Sequence, residues 1–340
     1  MPKSISETMI SLRRYTAADA PLWDTFVKGS KNGTLLFLRG YMDYHSSRFN
    51  DCSLMFFDHK DRLIALLPAN ISDDTLWSHQ GLTYGGFVLS ADVRAAEVLE
   101  LFSITKSYLR QQGTRQWIYR QLPTIYHRCP SQEDDYALWR NEAEMVSCLI
   151  STTIPLNGST LYPVVERRRH RGERRAQEAG YTIAESTRLD IFWPIMETNL
   201  KERYGVSPVH TLQEMQLLME RFPDSIRLFL ATKDGKAEAG AVVYECNDMV
   251  VHIQYGHATP QGKSDGALDM LYLQLMERYR SAGFAYLDFG NSNEQGGHYL
   301  NEQLIAQKEG FGGRGIAYKT FKLTLENLES LETLETLENP

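Results

Sequence analysis

The sequence predicts a two-domain α/β (α+β) protein, each domain a mixed central sheet flanked by helices, and three observations lead to that prediction. A chain of 340 residues exceeds what one hydrophobic core usually serves. Its apolar periodicities run twice through one order of elements: strand, two helices, three strands, long helix, strand, short helix, strand. Within each pass a strand, a long helix and another strand follow one another. That order implies a crossover, and hence partly parallel strands with helices on the sheet faces.

The first pass opens with a strand over 9–15 and helices over 18–28 and 39–49. Strands follow at 53–58, 63–70 and 75–79, then a long helix over 92–112, a strand over 116–120, a short helix over 132–142 and a strand over 145–154. The second pass begins after a basic helix over 164–179, with a strand at 181–185 and helices at 191–202 and 212–222. Strands at 226–231, 237–245 and 249–255 lead to a helix over 265–282, a strand at 285–288, a helix over 298–307 and a last strand at 316–323. The helix from 265 has the clearest pattern. Leu268, Leu271, Tyr272, Leu275 and Tyr279 share one face, Arg278 and Arg280 suit its C-terminal end, and Gly283 supplies the stop. The domains accordingly run over 5–157 and 158–323, with a tail at 324–340.

Composition excludes several classes. Apolar residues at 42% and charged residues at 23% describe an ordinary soluble globular chain. No apolar run approaches the roughly 20 residues that cross a bilayer, and MPKSISETMISLRRY has no apolar signal core, so a cytoplasmic location is expected. Cys52, Cys129, Cys148 and Cys246 stand far apart with no CxxC pair and read as reduced, mostly structural thiols. Of the net charge of −7, five units come from Glu326, Glu329, Glu332, Glu335 and Glu338. The rest is nearly neutral, so bulk electrostatics decide nothing about nucleic acid, and no DNA partner is expected. The tail repeats leucine every third residue, a period that drifts around a helix and sustains no heptad seam; it reads as a low-complexity appendage.

The segment from 286 to 315, YLDFGNSNEQGGHYLNEQLIAQKEGFGGRG, concentrates the chemistry. A buried-type strand stops at Asp288-Phe289-Gly290, and Asn291, Ser292, Asn293 and Glu294 then place four hydrogen-bonding side chains beside glycines. Lys308 heads Lys308-Glu309-Gly310-Phe311-Gly312. A cation and flexible backbone around an aromatic ring suit an anionic or carbonyl-bearing substrate. Asp288 is either a functional group or a cap of its loop.

Between strand and helix lies Gly256-His257-Ala258-Thr259-Pro260-Gln261-Gly262-Lys263-Ser264-Asp265-Gly266. Its helix-start amides and Lys263 would attract a phosphate; the bland alternative is a Pro/Gly loop with Asp265 as N-cap. Gly256 is one residue too far upstream for GxxxxGK, which excludes a P-loop. The Asp-Phe-Gly triplet lacks an HRD loop, so its match to kinases is chance. None of the nine histidines shows HxH or HExxH spacing, and no metal is expected. His210, in a loop before a helix, is the better catalytic candidate among them. Arg167, Arg168, Arg171, Arg174 and Arg175 form either a solvated basic face, the blander reading, or a surface for phosphates of RNA or a nucleotide-linked substrate. In the first half, the matching loop His79-Gln80-Gly81-Leu82-Thr83-Tyr84-Gly85-Gly86 has glycines but no cation and suits a neutral or sugar-like group. Pro123-Thr124-Ile125-Tyr126-His127 is the counterpart of the Asn291–Glu294 loop.

The order in each half resembles the GNAT acyltransferase fold, and two such halves in tandem resemble the Fem family (FemA/FemB-type) of peptidoglycan-bridge aminoacyltransferases and their acyltransferase relatives. Ala282-Gly283-Phe284, Leu287-Asp288-Phe289-Gly290 and Gln307-Lys308-Glu309-Gly310-Phe311-Gly312 are similar to the family's AxxxG, DFG and KxGFG elements. The resemblance covers about residues 5 to 323. Gln261-x-x-Ser264-x-Gly266 is similar to the GNAT Q/RxxGxG/A element, with serine in place of the first glycine. The helical hairpin with which some Fem enzymes grip tRNA has no counterpart in the second half.

The resemblance implies two tandem GNAT-like domains, an acceptor-side domain first and a donor-side domain second. It implies an N-acyltransferase carrying an acyl group from acetyl-CoA or another acyl-CoA to an amine of a cell-envelope saccharide or peptide precursor. Aminoacyl-tRNA as donor is the alternative, and a non-catalytic ligand-binding tandem GNAT protein is a third reading from another class. Under the first reading Gln261, Gly262, Lys263, Ser264, Gly266 and Asn291 bind the cofactor. Lys308 neutralises a phosphate or the carbonyl oxygen. Asp288, Glu294 or His210 receives the amine proton, and Tyr255 protonates the leaving group. The acceptor would lie between the halves, touching Tyr84 and Tyr126, with Gly85, His127, Phe311 and Arg314 as further substrate contacts.

Overall fold

A computed structural model describes residues 10–157 and 164–325. The Leu/Glu repeat from residue 326 onward lies outside the described residues. The chain divides into two compact units, one of residues 1–148 with 318–340 and one of 149–317. The division falls nine residues before the expected boundary at 158, and the last strand returns to the first unit. The physical reason is ladder pairing: each stretch belongs with the strands it bonds to, whatever its place in the chain.

The first unit comprises β1 (Ser11–Arg14), α1 (Ala20–Gly29), α2 (Arg39–Met42), β2 (Asn50–Asp51), β3 (Leu54–Phe57), β4 (Leu63–Leu67), β5 (Asn70–Ser72), β6 (Thr75–Trp77), β7 (Val88–Leu89), α3 (Ala95–Gln111), β8 (Gln116–Arg120) and α4 (Glu133–Arg140). One sheet runs β1-β3-β4-β7; another runs β8-β6-β5-β2, with β6 parallel to β8 and residues 320–324 pairing antiparallel to β8. The single strand expected over 63–70 is split between these sheets. Pro68 has no N–H to give a ladder, so the chain changes sheet there. The helix expected over 39–49 ends at Met42 and gives way to a 3-10 turn, Asp43–His45. Arg39 is buried and bonds Asp43 and Asp51 at 2.5 and 2.7 Å, a tertiary tie that overrides local periodicity. The core gathers around Phe56, Phe87, Phe102, Trp117 and Tyr119.

The second unit takes the end of β9 (Glu144–Pro155) and continues with α5 (Arg167–Glu178), β10 (Thr182–Ser186), α6 (Leu189–Tyr204), α7 (Leu212–Arg221), β11 (Ile226–Lys233), β12 (Lys236–Glu245), β13 (Val250–Ala258), α8 (Pro260–Asp265), α9 (Ala267–Ser281), β14 (Tyr286–Asn291), β15 (Asn293–Glu294), β16 (Tyr299–Leu300), α10 (Glu302–Glu309) and the start of β17 (Arg314–Thr324). Its sheet runs β10-β11-β12-β13-β14-β9, antiparallel except for β13 with β14. Alternation along β12 sorts the two faces. Ala239, Ala241 and Val243 join α9 residues Ala267, Met270, Leu271 and Tyr272 in the core clusters. On the other face Phe192 of α6 closes on Gly240, and Tyr244 donates to the Sδ of Met215 on α7 at 3.8 Å. The apolar face read for the 265–282 helix is the face that is buried.

Residues 260–265, expected as a loop capped by Asp265, form α8 instead. Thr259 is the N-cap, its Oγ1 accepting from Gly262 N at 3.0 Å, and Pro260 occupies the first helical position without loss of a bond. Asp265 sits at the far end and accepts from Tyr181 Oη at 3.1 Å. Gly266, at φ +83°, turns α8 into α9. No helix among the described residues is long and apolar enough to cross a membrane.

The joint at Gly266 gives a stability prediction. An added Cβ would lie 2.3 Å from Gly172 O on α5, a backbone contact with no room to yield, in a left-handed conformation that disfavours side chains. Gly266→Ala is expected to cost about 1–3 kcal/mol from overpacking, measured as a lower urea midpoint at unchanged slope. A midpoint equal to wild type would show that α5 can move away freely.

Candidate active site

The site is built where β13 and β14 part. They pair in parallel at only three positions, Val250 with Tyr286, Val251 with Leu287 and His252 with Asp288. Just beyond, the pairing of β12 with β13 slips, so that Val242 faces Tyr255 while Val243 faces Ile253. Gln254 is the extra residue of this bulge. Partners across a ladder share a face, and Val242 and Tyr244 are two apart, so their partners Tyr255 and His252 lie on the same face. Without the bulge a separation of three would put them on opposite faces. Asp288, in register with His252, joins them. Bulges re-aim side chains in this way beside functional sites.

Asp288 is wholly buried. Its Oδ1 accepts from Ser151 Oγ at 2.5 Å and Thr153 Oγ1 at 2.9 Å, both on β9. Its Oδ2 meets His252 Nδ1 at 2.9 Å. His252 keeps 14% of its side chain exposed, so of this pair only the imidazole reaches solvent. Lys308, at the end of α10, donates to Gly290 O at 2.8 Å and Asn291 O at 2.7 Å, just past Asp288 on the same strand. Burial pulls its amine down to about 8, with the Asp288 charge opposing that fall.

Much of the polar loop serves to hold α10. Asn293 Oδ1 accepts from Ile150 N at 2.7 Å, Glu294 accepts from Asn301 Nδ2 at 2.8 Å, and Asn301 in turn caps α10 at Leu304 N. Asn291 contributes its carbonyl to Lys308 through the backbone.

A second station lies further along β13. His210 Nδ1 and Tyr255 Oη are 2.7 Å apart, and burial raises the phenol above its ordinary range. Trp193 of α6 packs edge-on against Tyr255. His210 lies in the α6–α7 connection, at the floor of a cleft of about 470 Å³ lined also by Asp190, Trp193, Glu197, Ser207 and Gln213. The sequence separates His210 from Tyr255 by 45 positions; the structure brings them together.

The amides expected to cradle a phosphate are engaged within the chain. Gly262 N bonds Thr259 Oγ1, Lys263 N bonds Thr259 O at 2.9 Å, and Gly266 N bonds Lys263 O at 3.3 Å. Lys263 turns its amine to Asn199, and Gln261 donates to Asp265 at 2.9 Å. Ser264 stays exposed on α8. Gly262 lacks a side chain because Glu238 O stands 2.2 Å from where a Cβ would go. On the α9 face the space is taken by Tyr272, Phe289 and Phe311, whose ring centroids lie 4.9 to 5.5 Å apart. The Gly262, Lys263 and Gly266 amides are therefore already spent within the chain and not offered to a coenzyme A pyrophosphate.

Helix α5 lies against the same region. Arg169 bonds Asp269 at 2.9 Å and Gln307 O at 2.8 Å, and its guanidinium covers Phe311 at 4.6 Å. Arg168 reaches Ala306 O at 3.2 Å. Arg167, Arg171, Arg174 and Arg175 are exposed. One side of the helix is therefore locked onto α9 and α10 beside Lys308, and the other presents guanidinium groups to solvent.

Three of the expected substrate contacts require correction. Tyr84 and Tyr126, 2% and 1% exposed, are core residues of the first unit packed at 4.8 Å, and Phe311, at 1%, is core in the second. Their rings fill apolar space and offer no surface to a ligand. Gly85 backs closely onto Ser78 O, which explains it by packing. His127 is half-buried, its imidazole pushed down to about 4 by that burial. Arg314 is exposed and donates to the neighbouring Gly313 O at 2.6 Å. The residue that the sequence reading missed is His252. Its only sequence signal is a spacing of three from Tyr255, which becomes meaningful once the bulge is known.

Residues 164–299 match the acetyltransferase (GNAT) domain family. No curated protein matches the sequence significantly. Among solved structures the chain is similar to FemX, with a TM-score of 0.67, 12% identity and coverage of 95% of this chain and 99% of that one. It is also similar to L-PGS from Bacillus licheniformis, with a TM-score of 0.59, 12% identity and coverage of 95% and 97%. A tandem GNAT protein from the clavulanic acid biosynthesis pathway gives a TM-score of 0.51 at 13% identity, covering 94% and 99%. The expected fold, two GNAT-like domains in tandem, agrees with the family match and with the similarity over nearly the whole chain to a tandem GNAT protein.

The depressed Lys308 amine makes a signed prediction. With a folded value of about 8 against an ordinary 10.5, the unfolded chain binds this proton more tightly, so stability rises as pH climbs from 8 towards 10.5. Lys308→Met should lose that rise. Urea midpoints of both proteins at pH 7.5 and 10 measure it, and parallel pH dependence in the two would contradict the burial of this amine.

Proposed function

We propose, on the premise that the chain is a Fem-like acyltransferase of the GNAT superfamily, that it transfers an aminoacyl group from an RNA-borne ester to an amine of a cell-envelope saccharide or peptide precursor. The observation that carries this choice of donor is the internal use of the Gly262, Lys263 and Gly266 amides, beside an arginine helix whose outer face is open to phosphates. Helix α5 would take the part that an inserted hairpin takes in some Fem enzymes. Similarity to FemX and L-PGS supports the envelope acceptor.

In this reading the acceptor amine attacks the ester carbonyl, its proton passes to a base on the β13–β14 face, and the C–O bond to the RNA breaks. Lys308, held by two carbonyls, places its remaining N–H towards the developing oxyanion or a donor phosphate. The bulge at Gln254 leaves backbone out of the ladder at the same place. Tyr255 returns a proton to the leaving oxygen, and His210, 2.7 Å from it, orients the phenol and resupplies that proton. The cleft beside His210 would receive the acceptor, with Glu197 favouring a cationic amine while Asp190 is paired with Arg188. Glu294, tied to Asn301, acts here by positioning α10.

Binding experiments test the donor. Charged tRNA should bind with an affinity that falls steeply with salt. Arg171→Gln with Arg174→Gln should flatten that dependence by about 0.7 in log–log slope for each single-strand phosphate that the two arginines neutralise. Acetyl-CoA should show no saturable binding at micromolar concentration. Micromolar acetyl-CoA binding that disappears in Lys263→Ala, with no binding of tRNA, would return the donor to acyl-CoA. The Gly266 variants are unsuitable for this purpose because they disturb the α5–α9 packing.

A further inference from the structure

We infer that His252 is the general base that takes the proton from the attacking amine, and that Asp288 is a positioning residue that never meets the substrate; the inference rests on the acyl-transfer reading above. Asp288 cannot be the base itself. Both its oxygens are occupied, Oδ1 by the hydroxyls of Ser151 and Thr153 and Oδ2 by His252, and it has no exposed surface. His252 is the part of this cluster that extends outward. Its Nδ1 is spent on the carboxylate, which fixes the tautomer: Nδ1 carries the hydrogen and Nε2 carries a lone pair. The carboxylate also stabilises the imidazolium once a proton arrives, the arrangement by which an aspartate supports a histidine base.

The surroundings suit this role. The ring edge lies beside Gly290, where a Cβ would stand only 3.2 Å from His252 Cε1, so a side chain there would press on the imidazole. Among the described residues, the titratable groups near it include Asp288 from β14, bonded to its Nδ1, Tyr255 on the same face of β13, Tyr244, its ladder partner on β12, whose hydroxyl is turned to Met215, and Lys308 from α10, held at Gly290 O. From β9 come the neutral hydroxyls of Ser151 and Thr153. The bulge at Gln254 sets His252 on the face of Tyr255, so a base and an acid flank one carbonyl position. The step balances: the N–H proton goes to Nε2 as the C–N bond forms, the ester C–O bond breaks, and Tyr255 protonates the departing oxygen.

The test is steady-state transfer with charged tRNA as donor and a panel of primary amines as acceptors, for wild type, His252→Gln, His252→Ala and Asp288→Asn, each checked for fold by circular dichroism. His252→Gln should lower kcat about 100-fold or more with little change in KM, and the ascending limb of the pH profile should vanish. Added imidazole should restore part of the activity of His252→Ala, and an acceptor whose own pKa lies below the assay pH should lose less than an alkylamine. Asp288→Asn should lower kcat by about tenfold or more and flip the ring tautomer, seen in nitrogen-15 spectra of the histidine. A folded His252→Gln within about threefold of wild type, or no rescue by imidazole, overturns the assignment. If wild type transfers nothing to any amine, the acyl-transfer reading fails. The nitrogen spectra then still decide the dyad, because a ring protonated on Nε2 alone at neutral pH would rule His252 out as a base of any kind.

Discussion

A carboxylate with no exposed surface costs several kcal/mol unless each oxygen is met by donors, and Asp288 imposes that demand on everything around it. Ser151 and Thr153 meet one oxygen from β9, and His252 meets the other from β13. Three strands, β13, β14 and β9, are thereby held in one register by side chains as well as by their ladders. Lys308 is drawn to the same place, its amine bonded to the carbonyls that follow Asp288. The lysine tolerates burial there because the carboxylate beneath it supplies the opposite charge. Losing Asp288 would leave a histidine, two hydroxyls and a cation without their common partner.

The opposite face of the sheet answers a different constraint, close helix packing. Gly172 and Gly266 let α5 and α9 approach until backbone meets backbone. Arg169 fastens the crossing by bonding Asp269 and Gln307 O and by covering Phe311. The consequence for chemistry is direct. The Gly262, Lys263 and Gly266 amides are bonded within the chain, and the cationic surface beside the site is the outer side of α5.

The two faces are linked by one irregularity. The bulge at Gln254 shifts the phase of β13, which puts Tyr255 with His252 and Asp288 on the α6–α7 side. Tyr255, His252 and Asp288 then gather about the point where β13 and β14 separate and ladder bonding ends. Backbone groups released from a sheet at such a point are fixed dipoles that need no reorganisation during a reaction.

The amino-acid sequence determined a good deal. Period and punctuation located nearly all the long elements, because the apolar face of α9, the capping and stop residues, and the alternation in β11–β13 are local properties of neighbouring residues. The same local signals marked Asp288 and Lys308 as chemically important, since a carboxylate ending a buried strand and a lysine heading a glycine-rich turn are both unusual where they stand. Tertiary structure decided the rest. It buried Tyr84, Tyr126 and Phe311, whose aromatic rings read equally well as ligand contacts or as core. It closed Gly262 and Gly266 by packing, though glycine beside lysine reads as a phosphate loop. It raised His252 from an isolated histidine to the partner of Asp288 through a one-residue slip in a strand. Pairing register, helix approach and the direction of a buried hydrogen bond depend on residues far apart in the chain, and no local pattern encodes them.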